Sequence, residues 1–358
     1  MKRAPAVVEF LLAPGSLLFA MIADLRGRLF DKGWLKSHRL SVRVLSIGNL
    51  TVGGTGKTPL VSFFAAGFSS AGKKVGIVSR GYGGTETGPV LVPKDGLPET
   101  ASRFGDEPTW LANELNGSSA RRPEVAVVVG RDRLAAAASL LKSGVVDLII
   151  ADDGFQHRRL QRDCDLVILD ATEPRWHYRS LPVGRMREGF SALKRAQVAI
   201  ISKVNLAAEE QVSWLKQQIK VAAPHVAVFE VRSRVEWLTK LAGGEPLPIT
   251  LILSGSPYML LSAIARPEAF RSLVELECRQ PASGHLVFSD HHAFSVRDLG
   301  EIEVQAHQLG ATKIVMTEKD AVKLKNWRPD GLEVYFTQLK VEPADSKGLY
   351  ETLSRLLF

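Results

Sequence analysis

Several short stretches of this chain hold residues whose types and spacing suit phosphoryl transfer. The stretch "LTVGGTGKTP" ends in Gly-Thr-Gly-Lys-Thr, the second half of the phosphate-loop pattern G-x-x-x-x-G-K-[ST]. Counting back from Gly56 puts Thr51 where the first glycine of that pattern stands. The loop therefore comprises Thr51, Val52, Gly53, Gly54, Thr55, Gly56, Lys57 and Thr58. Its glycines would let backbone N–H groups face phosphate oxygens, and a following helix N-terminus would add positive potential. Lys57 would reach the β- and γ-phosphates of a nucleotide, and the Thr58 hydroxyl would bind Mg²⁺. A plain glycine turn before a helix would use similar residues, but here a strand precedes and a helix follows. In "ADDGFQH", Asp152 and Asp153 end an apolar run. A carboxylate there can hold Mg²⁺ directly or through water, with Asp152 the better candidate; a helix cap or an Asp-Gly turn is the alternative. "FGDEP" and "FSDHHAFS" are weaker alone, one resembling an N-cap and the other paired surface histidines. "SRGYGG" and "VGRMREG" put arginines beside glycine turns, where they could bind anions or be solvated.

The elements that would carry these residues can be read from periodicity. "SVRVLSIGN" reads as a strand running into the loop, and "PLVSFFAAGF" as the helix after it, with Pro59 in its first turn. "KVGIVS", "VAVVV", "VDLIIADDG", "DLVILD" and "VAIIS" read as further strands, with a helix through "RDRLAAAASLLKSG". Continuous apolar runs alternating with helices predict a parallel sheet covered on both faces. Ligands of such sheets sit at the carboxyl ends of the strands, where every motif above is placed. Past about Arg232 the pattern changes, and "LAGGEPLPI" looks like a connector. "TLILS", a helix near "RPEAFRSLVEL", a helix ending at Gly310, "KIVMT" and "EKDAVKL" then read as a smaller α/β unit. The expected organisation is an N-terminal segment over 1–40, a phosphate-loop core over 41–240 and a smaller lobe over 241–358.

Lys and Arg number 46 against 38 Asp and Glu, a net charge of +8, which favours an anionic partner without choosing one. The two cysteines, Cys164 and Cys278, form neither a metal-spaced cluster nor a disulfide framework, as suits a reducing cytoplasm. "FLLAPGSLLFAMIA", from Phe10 to Ala23, is apolar but shorter than the roughly 20 residues a spanning helix needs, and Pro14-Gly15 is expected to interrupt it. No clean cleavage site follows it, which argues against a signal peptide. Basic residues outnumber acidic ones over residues 1–40, so the segment could lie in an anionic membrane interface, or pack on its own domain.

Taken in order, "IGNLTVGGTGKTP", "SRGYGG", "GDEP", "ADDGFQHRRLQRD", "LPVGRMRE", "SDHHAF" and "TEKDAVKL" resemble the tetraacyldisaccharide 4'-kinases, the lipid A 4'-kinases. The resemblance spans about nine-tenths of the chain. In that family too the loop lacks its first glycine, so Thr51 suits a working site. The resemblance implies transfer of the ATP γ-phosphate to the 4'-hydroxyl of an acylated glucosamine disaccharide 1-phosphate, giving the 4'-phosphorylated lipid A precursor. It implies ATP and Mg²⁺ as cofactors and a peripheral enzyme on the cytoplasmic face of a Gram-negative inner membrane, meeting its acylated substrate at an anionic lipid surface. By resemblance, Asp106 matches the catalytic base and His291 its partner, while His292 stands where the family tolerates other residues. Tyr82, Glu107, Arg131, His157, Arg187 and Glu188 also match family site positions. The chain departs from the family at Gly189, where Pro is usual, and over Ser262–Arg266, where a "G-I-x-N-P" turn reads "SAIARP".

Two other readings compete. "ISKVN" faintly resembles the guanine-reading Asn-Lys-x-Asp motif of GTP-binding switches and metallochaperone-type NTPases, with Ser202 and Asn205 in place of Asn and Asp. A nucleic-acid binder is suggested only by the pI near 9.5; no helix-turn-helix, zinc or aromatic RNA-binding signature supports it, and none is expected to bind.

Overall fold

The computed structural model describes residues 6–53, 56–94, 97–116, 124–144, 146–290 and 292–358. Gly54, Thr55 and His291, three of the expected site residues, lie outside the described residues.

The chain opens with helix α1 (Ala6–Asp31), which runs through Pro14 and Gly15 without a break. The expected interruption does not occur. A proline forfeits one backbone hydrogen bond, and in a helix of 26 residues that loss bends more readily than it terminates. The helix is long and apolar enough to cross a membrane by length and composition. Its apolar side chains, Phe10, Leu11, Leu17, Leu18, Met21 and Ile22 among them, are exposed. Polar tethers hold it to the body: Ser16 donates to the Ser180 carbonyl at 2.7 Å, Arg158 to the Gly27 carbonyl at 2.8 Å, and Glu9 pairs with Arg179 at 2.9 Å.

The phosphate-loop half follows as β1 (Arg43–Asn49), α2 (Lys57–Ser70), β2 (Val75–Ser79), β3 (Val90–Leu91), α3 (Pro98–Phe104), α4 (Asp106–Asn116), β4 (Ala126–Val129), α5 (Arg133–Ser143), β5 (Leu148–Asp152), β6 (Cys164–Asp170), β7 (Val198–Ser202) and α6 (Glu209–Ala222). Strands β2, β5, β6 and β7 are buried along their whole length, as continuous apolar runs require when helices cover both faces. The order β7-β6-β1-β5-β2-β4 is parallel throughout and puts the phosphate-loop strand β1 between β5 and β6. Gly48 near the end of β1 admits Phe155 of the turn after β5: a Cβ there would lie 2.5 Å from the Phe155 Cβ. That close approach brings the two strand ends together.

The remaining elements are β8 (Ala227–Lys240), β9 (Leu247–Pro248), α7 (Ile249–Leu253), β10 (Tyr258–Ser262), α8 (Pro267–Cys278), β11 (Gly284–Val287), α9 (Val296–Gln308), β12 (Lys313–Met316), α10 (Glu318–Lys323), β13 (Glu333–Pro343) and α11 (Ser346–Leu357). Strand β8 explains the change of pattern near Arg232. Its first half pairs in parallel with β7, and from Val231 onward it pairs antiparallel with β13. One long strand thereby joins both halves in a single sheet, with β12, β10 and β11 following β13 outward. The last helix returns to the first half: Leu349, Leu353 and Leu357 of α11 pack with Leu45, Phe64 and Leu166 in one core.

Candidate active site

The loop after β1 is shaped by backbone first. Gly56 takes a left-handed φ of 77° as N-cap of α2, a conformation that costs a residue with a Cβ but not glycine. Lys57, in the first turn of α2, is held by two neighbours: Nζ donates to Asn49 Oδ1 at 3.3 Å and lies 3.4 Å from Asp153 Oδ1. Asn49 is wholly buried, and its amide also donates to the Thr51 carbonyl at 2.7 Å, so the strand end and the loop entry are locked together. Thr58 is buried beside them. Thr51 bridges antiparallel to Met186, and Val52 N–H donates to the Arg185 carbonyl at 2.8 Å, so the 185–187 segment runs along the loop entry.

The two aspartates ending β5 have opposite surroundings. Asp152 is buried; Ser79 Oγ donates to its Oδ2 at 2.9 Å, while Oδ1 is buried and meets no hydrogen-bond donor among the described residues. Burial first, and then the charges of Glu107 and Asp153, push its pKa up to about 6 against the pull of Lys57. Asp153 occupies a left-handed turn position at φ 50°. Burial would raise its pKa too, but Lys57 and Arg187 outweigh that and hold it well below the usual carboxylate range. Arg187 reaches it at 2.8 Å and Gln156 Oε1 at 3.4 Å. His157 lies on the same turn, its pKa lowered to about 4 by burial and then by the Arg133 charge. Glu188 turns to Arg195 at 2.6 Å, and Arg195 covers the Phe155 ring at 3.8 Å. That pair braces the turn.

Asp106 and Glu107 open α4 and meet α10 from the other half of the chain. Lys323 Nζ lies 3.0 Å from Asp106 Oδ2, and Lys319 pairs with Glu107. Burial would lower the Lys319 pKa, but the Glu107 charge and hydrogen bond more than offset this, and it ends above its ordinary value. Lys323 also donates to the His292 carbonyl at 3.4 Å, which ties the histidine strip to Asp106. The His292 ring itself is spent elsewhere: Nε2 meets Asp298 at 3.1 Å and the ring stacks on Phe288. The "SRGYGG" turn packs on "FGDEP", since a Cβ on Gly105 would lie 2.5 Å from the Tyr82 carbonyl oxygen. Tyr82 itself is exposed there.

The structure adds residues that the sequence did not single out. Arg131 is exposed, whereas Arg133, two positions on, is buried and donates to the Asp152 carbonyl at 3.3 Å and the Gly130 carbonyl at 2.9 Å. Asn49, Lys319 and Lys323 fall in stretches quoted for the family resemblance, but their types alone gave no spacing signal. Asn205 of the "ISKVN" stretch uses both ends of its amide on the Ser233 backbone, at 2.9 and 3.0 Å, so it is not presented to a base.

Among the described residues no group of three or more His, Cys, Asp and Glu side chains could form an all-protein metal cage. Mg²⁺ ordinarily takes one or two carboxylates together with substrate phosphates and water. The buried, donor-less Oδ1 of Asp152 and the Thr58 hydroxyl fit that need.

The family model for tetraacyldisaccharide-1-P 4'-kinase matches residues 8–357. The tetraacyldisaccharide 4'-kinase of Bdellovibrio bacteriovorus is 37% identical over 347 residues, 97% of this chain and 98% of that protein. That of Geobacter sulfurreducens is 31% identical over 358 residues, 99% of this chain and 95% of that protein. A crystal structure of an "apo" form of LpxK from Aquifex aeolicus in complex with ATP superposes with a TM-score of 0.73 at 26% identity, covering 98% of this chain and all of that one.

Proposed function

The chain belongs to the tetraacyldisaccharide 4'-kinase family, and from that premise we propose how its own residues carry the reaction. It is an ATP-dependent kinase of lipid A biosynthesis, transferring the γ-phosphate to the 4'-hydroxyl of an acylated glucosamine disaccharide 1-phosphate. A GTP-binding switch is not favoured.

Lys57 and the loop backbone bind the triphosphate, with Asn49 and Asp153 aiming the Lys57 ammonium. Thr58 and Asp152 hold Mg²⁺, which when bound supplies neutralisation of charge on the phosphate oxygens. Arg187 fixes Asp153, and Arg133 supports the Asp152 turn from beneath. Asp106 accepts the proton of the 4'-hydroxyl as its oxygen attacks phosphorus and the bond to the ADP leaving group breaks. His291 orients Asp106, and Lys323 holds the same carboxylate in place. Glu107 and Tyr82 line the acceptor side, and Arg131, His157 and Glu188 stand around the site. The core over 41–240 carries the nucleotide, the lobe over 241–358 completes the acceptor side, and closure between them excludes water. The exposed apolar face of α1 brings the enzyme, as a peripheral protein, to the cytoplasmic face of the inner membrane, where an acylated substrate resides.

The observation that carries this reading is the Asp152 carboxylate: buried, lacking a donor at one oxygen among the described residues and set across from Lys57 at the end of the neighbouring strand. Transfer from labelled ATP to purified lipid disaccharide, titrated with Mg²⁺, tests it. Asp152→Asn is expected to raise the Mg²⁺ requirement and to recover part of its activity at high metal. An unchanged Mg²⁺ requirement would remove Asp152 from the metal site.

A further inference from the structure

Glu173 follows β6 and is almost wholly buried, yet three positively chargeable groups from three places converge on it. His177 Nδ1 meets Oε2. Arg266 Nη1 lies 2.8 Å from Oε1. Arg185 Nη1 approaches the same Oε1 but stops at 3.9 Å. Arg266 comes from the turn between β10 and α8, across the junction between the two halves. Its other nitrogen donates to the Thr172 carbonyl at 2.7 Å and the Thr172 hydroxyl at 3.0 Å. Arg185 comes from the segment that runs along the phosphate-loop entry. Its guanidinium lies against the loop itself, for a Cβ built on Gly53 would be 3.3 Å from Nη1. Its main chain is fixed twice, by the bond from Val52 and by its own N–H donating to the His177 carbonyl at 2.8 Å.

We propose that Arg185 is a phosphate-binding residue of the nucleotide site, and that Arg266 of the other lobe positions it by saturating Glu173. The argument is one of competition for a single oxygen. Arg266 takes Oε1 at hydrogen-bonding distance, and His177 takes Oε2. At 3.9 Å, Arg185 is steered by the carboxylate but not captured by it, since a charge-assisted hydrogen bond needs about 2.7–2.9 Å. The guanidinium therefore stays on the loop, where its planar fork suits the oxygens of a nucleoside triphosphate. Without Arg266, Oε1 would draw Arg185 in and off Gly53. Arg266 stands where the resembled family's turn carries Asn, so this device belongs to this chain's own departure from the pattern. The inference rests on the loop being the nucleotide site.

The test is ATP binding at equilibrium, with the KM for ATP, in Arg185→Ala, Arg266→Ala, the double variant and Lys57→Ala. Arg185→Ala is expected to weaken ATP binding about tenfold, the usual scale of one charge-assisted contact. It should also lessen the salt dependence of binding, a change that general loosening would not give. Arg266→Ala is expected to raise the KM for ATP about threefold to tenfold. In the Arg185→Ala background it should do nothing further, because the residue it positions is gone. Should Arg185→Ala not fold, Arg185→Gln retains most of the packing and is read the same way. Wild-type ATP affinity in the Arg185 variant, beside a loss in Lys57→Ala, overturns the inference and leaves the loop standing. Wild-type affinity in both overturns the loop reading itself. Multiplicative losses in the double variant overturn the link from Arg266 to Arg185.

Discussion

The nucleotide side and the acceptor side of the site are built differently. On the nucleotide side, the groups come from the ends of adjacent strands in one half of the sheet: Asn49 from β1 and Asp153 just past β5 hold Lys57, and Ser79 from β2 holds Asp152 of β5. Parallel register fixes those ends relative to one another, so the geometry is set by the sheet. Around Asp106 and Glu107 the counter-charges instead arrive from α10, with Lys319 lying 212 positions from Glu107. Their placement depends on how the second half is carried by β8 and β13. Apart from the single Arg266 contact on Glu173, triphosphate binding should thus withstand disturbance of the second lobe better than acceptor chemistry does.

Substitutions can break this contrast in order of effect. Lys57→Ala removes the ammonium where the γ-phosphate gathers charge and is expected to abolish measurable transfer with ATP. Wild-type turnover would make the loop structural. Asp106→Ala is expected to lower kcat by about 10²–10⁴, the usual worth of a general base, with ATP affinity nearly unchanged. His291→Ala should fall in the same range and add little to Asp106→Ala, since residues acting as a unit are not additive, while His292→Ala should be mild. Lys323→Ala removes a cation 3.0 Å from the proposed base and is expected to cost about tenfold in kcat. A rise in the KM for ATP, with kcat preserved, would move Lys323 to the nucleotide side. Deleting residues 1–30 should affect ATP binding least while shifting the protein off anionic vesicles in co-sedimentation. Retained co-sedimentation would discard α1 as the anchor.

The same contrast governs what the sequence could reveal. The parallel core was legible because each buried strand is an apolar run ending in a chemically marked turn, and the loop residues act close to where they stand in the chain. Asp152 and Asp153 were placed correctly at a strand end, but their opposite surroundings depend on Lys57, Arg187 and Glu107, which periodicity cannot bring together. Arg131 was named through the family resemblance, whereas Arg133 gave no signal of type or spacing; the α5 start turns Arg133 under Asp152. Strand β8 hid the junction, since a change of partner within one strand looks like the end of a domain. The helix through Pro14 was obscured by a residue whose cost is local. The acceptor-side lysines and the Arg266 contact on Glu173 required tertiary structure, because those partners lie scores to hundreds of residues away.

The most direct test of the division of labour is one protein measured twice. In Asp106→Ala, the dissociation constant for ATP and the single-turnover rate of phosphoryl transfer to the lipid disaccharide are determined under the same conditions. The account predicts a dissociation constant within about twofold of wild type and a rate lower by about 10²–10⁴. A rate near wild type, or a loss explained by weakened ATP binding, would contradict it.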